Sequence, residues 1–153
     1  MKYRMTGLEQ LEQRLKERGA DYELIRQGEP IRTMEDAKRY FDPEQAAPVL
    51  VVQTEQGLME VIVSASRGRL DWNELKGQLG LSKLKLADRK RAEEETGYRT
   101  GAMPLVGLGL PCIFDRRLLE LDYLYGGSGD EMVTMKIATE DVRRLNQTVL
   151  YLD

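Results

Sequence analysis

The residues whose types and spacing could do chemistry lie in two glycine-bearing stretches. One is Gly97-Tyr98-x-x-Gly101-Ala102-Met103-Pro104-x-x-Gly107, and the other is Gly126-Gly127-Ser128-Gly129-Asp130. Glycine permits positive φ and lets backbone N–H groups come close to a ligand, which suits phosphate or carbonyl oxygens. An ordinary surface loop explains the first stretch equally well, and a tight turn between antiparallel strands explains the second. Neither is a dinucleotide fingerprint or a Walker loop: no strand-turn-helix frames a G-x-G-x-x-G, and no Gly-Lys-Ser/Thr follows.

The rest of the inventory narrows the chemistry by subtraction. The chain has 153 residues, no histidine and one cysteine, Cys112. That excludes Ser-His-Asp and Cys-His nucleophile systems, histidine-ligated zinc and an imidazole base. It also excludes an intrachain disulfide and a Cys-cluster metal site. Cys112, between Pro111 and Ile113, reads as an inert buried thiol. Any reaction must run on carboxylates, hydroxyls, lysines, backbone groups or the substrate itself. With 26 acids, carboxylate pairs cannot be picked out by spacing.

The formal charge of −3 argues against nucleic-acid binding through overall charge, so such a partner would need a local patch such as Lys83–Arg91. Residues 1–7 carry no apolar run of a secretory signal, and prolines and glycines break the stretch from Met103 to Phe114. A cytoplasmic protein without a membrane span is expected.

The elements that must position these residues follow from capping and periodicity. One domain over 1–153 is expected, with no linker or repeat. Thr6-x-x-Glu9 opens a first helix with Leu8, Leu11 and Leu15 on one face and Gly19 as its stop. Tyr22–Ile25 reads as a strand, and a second helix starts at Thr33 and fades before Pro43. Pro48–Thr54 and Leu58–Ser64 flank Glu55-Gln56-Gly57 as a hairpin. Asp71-x-x-Glu74 begins a helix burying Trp72, Leu75 and Leu79, and Gly80 ends it. Lys83–Ala87 reads as a half-wet strand, and Asp88 caps a charged helix to about Thr96. Strands are expected near Cys112–Phe114, in Leu119–Tyr125 and in Glu131–Ile137, with a Gly126-Gly127 turn between the last two. Thr139 is expected to cap a final helix carrying Val142 and Leu145. The whole predicts an α+β domain in which helices surround a central mixed, curved sheet.

The order of motifs adds a resemblance. Pro30-x-x-Thr33-x-Glu35-x-Ala37, then Val49–Thr54 with its hairpin, Gly68-x-Leu70-Asp71, Leu79-Gly80-x-Ser82-Lys83 and Leu86-Ala87-Asp88 come in sequence. They are followed by the two glycine stretches and Pro111-x-x-x-Asp115. Over roughly residues 19–150 this resembles the YbaK/EbsC family, the prolyl-tRNA synthetase-associated editing domain. The resemblance implies a pocket beneath the Gly-rich loop and hydrolysis, in trans, of the ester of a mischarged tRNA. It implies no cofactor and no metal, with the acceptor end of the tRNA as partner and an aminoacyl-tRNA synthetase as a possible second one. An aminoacyl ester is already activated, and the free ribose hydroxyl can orient a water, so no imidazole is needed.

By that resemblance Gln53 stands where the family has a functional lysine, and Gly101 and Ala102 supply backbone oxyanion donors. Thr54, Thr96, Gly97, Tyr98, Met103, Pro104, Gly107, Asp115, Gly126, Gly127 and Ser128 are the implied substrate contacts. Tyr98 and Met103 would wall the amino-acid pocket or stack on the terminal adenosine. Pro104 sits one place earlier than in the family's Gly-x-x-x-Pro. With lysine replaced by Gln53, a binding module without turnover is the alternative, and a synthetase-associated interaction domain a third reading.

Overall fold

The computed structural model describes residues 6–153; the stretch 1–5, read above for a leader, lies outside them. Helix α1 (Gly7–Glu17) is capped by Thr6, whose side chain accepts from the Glu9 N–H, and it buries Leu11 and Leu15. After Gly19, at φ 68°, the chain enters β1 (Tyr22–Arg26). The second helix starts where expected but is short. Thr33 caps α2 (Met34–Ala37), and Asp42 then caps a 3-10 turn over Pro43–Gln45.

Strands β2 (Val49–Thr54) and β3 (Gly57–Ile62) form the expected hairpin. The Thr54 hydroxyl donates to the Gly57 carbonyl and accepts from the Gln56 N–H, which closes its turn. The Glu55 carboxylate accepts from the Ser82 and Lys83 N–H groups at 2.8 and 3.2 Å. Those bonds, the Ser82 one first, hold its pKa down at about 2. They also tie the hairpin tip to β4 (Leu84–Leu86), which pairs with β2. Between them lies α3 (Trp72–Leu79), capped by Asp71; it buries Leu75, with Trp72 and Leu79 half-buried beside it. Asp88 caps α4 (Arg89–Thr96), and Gly97 ends it in the left-handed region at φ 79°.

The C-terminal third departs from expectation in four places. The chain follows β5 (Cys112–Asp115) with a 3-10 turn over Arg116–Glu120, because Asp115 accepts from the Arg117 N–H and turns the backbone. The strand expected from Leu119 therefore begins later, as β6 (Tyr123–Gly127). Gly126 and Gly127 are not a turn but the end of that strand, paired with Met135 and Thr134 of β7 (Val133–Ala138). Thr139 does not cap α5 (Thr139–Leu145): it is the helix's first residue, and its hydroxyl donates to the Leu121 carbonyl at 2.6 Å. Finally β8 (Thr148–Leu152), unpredicted, lies parallel beside β5.

The expected mixed sheet is present as a five-stranded sheet in the order β4-β2-β3-β5-β8, antiparallel on one side of β3 and parallel on the other. A separate antiparallel sheet, β1-β7-β6, packs against it. The segment just before β2 bridges to β6, where the Ala47 N–H donates to the Tyr125 carbonyl at 2.9 Å. A core of Leu11, Leu15, Ile62, Phe114, Leu124, Met135 and Ile137 fills the space between them.

Glu60 is anomalous in this interior. It is 1% exposed, and neither carboxylate oxygen has a hydrogen-bond partner among the described residues. Burial lifts its pKa from the ordinary 4.5 to about 8. Its register neighbour Cys112 is fully buried, and that burial, with the Glu60 charge, pushes the thiol up. The thiol is free and buried, as expected.

Candidate functional site

The two glycine stretches form one construction. The Leu105 N–H donates to the Gly127 carbonyl at 2.9 Å, so the Gly-rich loop lies along the end of β6. A Cβ on Gly127 would come within 2.0 Å of the Met103 carbonyl oxygen, and one on Gly126 within 2.8 Å of the Leu105 side chain. A Cβ on Gly129 would meet the Tyr98 ring at 2.7 Å. At Gly126 and Gly127 glycine is required for proximity, and at Gly129, held at φ 95°, for the backbone conformation as well.

A cavity of about 770 Å³ opens beside this crossing, within the ~300–1,000 Å³ span of small-molecule sites. One wall is the start of β2 with the residues before it, Ala46–Leu50; the others are Gly101–Met103, Tyr125–Gly127, the start of β7 and the segment after β1. Ala102 cannot be the expected donor, because its N–H closes a turn onto the Arg99 carbonyl at 3.0 Å. Gly101, held at φ 96°, and Met103 each keep an N–H with no acceptor among the described residues. Two free amides flanking a bound one can serve a carbonyl oxygen that becomes negative.

Three arginines line the same cavity: Arg32, Arg89 and Arg99. The Arg32 and Arg99 guanidinium groups have no ion pair or hydrogen bond among the described residues. A guanidinium left free at a cavity is a fork matched to phosphate or carboxylate. Asp130 and Glu131 add negative charge at the β6–β7 turn. The remaining lining is apolar or aromatic: Ile31, Val49 and a Phe41–Tyr125 pair stacked at 4.7 Å and 3°. One polar couple is set into it. The Thr134 hydroxyl donates to Gln27 Oε1 at 2.7 Å, and Gln27 Nε2 donates to the Glu131 carbonyl at 3.2 Å.

Of the expected site residues, the cavity gathers Gly101, Ala102, Met103, Gly126 and Gly127. The others do not line it. Gln53 sits near the far end of β2, where its amide donates to the Thr54 carbonyl and accepts from Arg91. Thr54 and Ser128 use their hydroxyls within local turns. The Thr96 hydroxyl donates to the Ala92 carbonyl and accepts from the Tyr98 N–H, and Gly97 is a helix stop. Tyr98 buttresses Gly129 and packs with Val51 and Ala92 instead of walling the cavity. Pro104 is buried in the loop, and Gly107 passes over Leu11. Asp115, fully buried, holds Arg67 by two hydrogen bonds of 2.6 and 3.1 Å and accepts from the Ser64 N–H. It is architectural.

Sequence reasoning missed the three arginines, the Phe41–Tyr125 stack and the Gln27–Thr134 couple. Only Arg32, inside the Pro30-x-x-Thr33 motif, lay next to a signal.

Comparison with known proteins identifies the family and the fold. A family model described as aminoacyl-tRNA editing domain matches residues 28–145. The crystal structure of a hypothetical protein superposes with a TM-score of 0.79 at 26% identity, covering 94% of this chain and 97% of that one. A proposed trans-editing enzyme for prolyl-tRNA synthetase gives 0.79 at 21% identity, with 98% of each chain covered. A longer protein from Marinobacter aquaeolei VT8, described as acting in signal transduction, contains the fold in 30% of its length, at a TM-score of 0.64 and 20% identity. No helix among the described residues is long and apolar enough to cross a membrane. The chain belongs to the aminoacyl-tRNA editing domain family.

Proposed function

We propose that the protein is an aminoacyl-tRNA deacylase that acts in trans on the ester of a mischarged tRNA. The observation that carries this reading is the pair of free amides, Gly101 and Met103, on a cavity that also presents unpaired Arg32 and Arg99. The arginines suit the phosphates of an RNA 3′ end, and the amides suit the ester carbonyl. Water attacks that carbonyl, the tetrahedral oxyanion takes the two N–H bonds, and the ribose oxygen leaves with a proton. The adjacent free ribose hydroxyl orients the water, so the protein supplies position and electrostatics. Incubation with a panel of mischarged tRNAs, including alanyl, cysteinyl and seryl forms, tests it. Hydrolysis of at least one form above buffer is expected, and hydrolysis of none overturns it.

A binding module without turnover is the second reading. What favours it is that the wall formed by the start of β2 and the residues before it, Ala46–Leu50, carries no ionisable side chain.

A further inference from the structure

Helix α4 carries its charges the wrong way round. Its first turn holds Arg89, Lys90 and Arg91, and its last turn holds Glu93, Glu94 and Glu95. The helix dipole favours the opposite order, acids first and bases last. The internal ion pairs compensate weakly. Arg89–Glu93 and Arg91–Glu95 lie at 3.7 and 3.8 Å, and the two arginine side chains are 74% and 50% exposed. They also run base-to-acid along the helix, the poorer orientation for an i,i+4 pair. A local rule broken without structural gain points to a task outside the fold.

The basic turn belongs to a larger surface. Arg91 donates to the Gln53 side chain, and Gln53 faces Lys85 in the β2–β4 register. Lys83, Lys85 and Lys90 are exposed, and none has a carboxylate partner among the described residues. At its other end the surface reaches the cavity, because Arg89 lines it. Cations thus stand on the edge strand, on α4 and at the cavity mouth, with Asp88, Glu93 and Glu94 beside Arg89 and Lys90, on a chain whose net charge is −3.

We infer that this β4–α4 face is the docking surface for the base-paired stem of the RNA whose esterified 3′ end enters the cavity. The inference rests on the deacylase reading for what occupies the cavity. The stem offers a regular line of phosphates, and lysines without partners neutralise them with release of counterions. Gln53 is then a bridging residue of this face, holding Arg91 beside Lys85.

The test is a K83Q/K85Q/K90Q variant, none of whose positions lines the cavity, with unchanged thermal unfolding as its folding control. Should the triple variant fold poorly, Lys85→Gln and Lys90→Gln are read separately. Binding of uncharged tRNA and of its 3′-terminal trinucleotide is measured by fluorescence anisotropy over a salt series. The variant is expected to bind tRNA at least tenfold more weakly, with a salt slope shallower by about 2 to 3, while trinucleotide binding stays within twofold. Equal tRNA affinity and equal slope would overturn the docking surface. Deacylation by the wild type is scored in parallel: its absence fails the deacylase reading, whereas the anisotropy result judges the surface by itself.

Discussion

Gly127 and Met103 are in contact at a distance that only glycine allows: the missing Cβ would lie 2.0 Å from the Met103 carbonyl oxygen. This contact sets where the Gly-rich loop crosses β6, beside the cavity that Gly101 and Met103 line. Gly127→Ala must push backbone against backbone, whereas Gly126→Ala presses on the Leu105 side chain. Gly127→Ala is expected to lose about 3 kcal/mol in urea unfolding and to abolish ester hydrolysis. Gly126→Ala is expected to lose about 1 kcal/mol and to keep measurable turnover.

Arg99 donates no side-chain bond among the described residues, so its removal leaves their contacts intact. Arg99→Ala is expected to raise KM for a mischarged tRNA roughly 10- to 100-fold, the loss of one charge-assisted bond, with kcat changed less. Steady-state kinetics check this, and an unchanged KM would place the phosphates elsewhere.

Gln53 lies outside the cavity, so restoring a charge there does not restore a site. Gln53→Lys would place an ammonium beside Arg91 and Lys85. Deacylation of a trinucleotide ester is expected to stay within twofold of wild type, and the variant to be slightly less stable by thermal melting. A large gain in activity would show that this position reaches the substrate after all.

Glu60 makes stability depend on pH. Its folded pKa of about 8 lies above the ordinary 4.5, so the folded state holds the proton more tightly. The stabilisation is complete below 4.5 and is lost as pH rises toward 8, costing several kcal/mol in all. Glu60→Gln keeps the shape without the charge. It is expected to flatten the pH profile of urea unfolding across that window and to be the more stable protein at pH 9 and above.

Asp115 is fully buried, with Arg67 as its charge partner. Arg67→Ala leaves the carboxylate without it and is expected to cost roughly 3 kcal/mol. Trinucleotide deacylation, measured well below the melting point, should survive, because neither residue lines the cavity.

Much of this fold was legible locally. Caps at Thr6, Thr33, Asp71 and Asp88 are side chain-to-backbone bonds within three residues, and the sequence displays both partners. The failures are long-range. Gly126 and Gly127 look like a turn because nothing nearby shows that Leu105 and Met103, more than twenty residues earlier, lie against them. Strand β8 exists because β5 offers it a parallel edge, which no local pattern records. The site divides in the same way. The Gly-rich loop was visible as a motif, but Arg32, Phe41 and Tyr125 come from three separate segments, and only the fold assembles them. Ala102 and Met103 are indistinguishable as donors until the Arg99 turn ties up one N–H.

On the deacylase reading, the cavity cleaves an activated ester with backbone donors and the substrate's own hydroxyl. The most direct measurement is the single-turnover deacylation rate of the best mischarged tRNA, with and without the free hydroxyl on its terminal ribose. Cleavage well above buffer is expected for the intact substrate, with a fall of about a hundredfold or more when the hydroxyl is removed. No cleavage of the intact ester, or an equal rate without the hydroxyl, would contradict it.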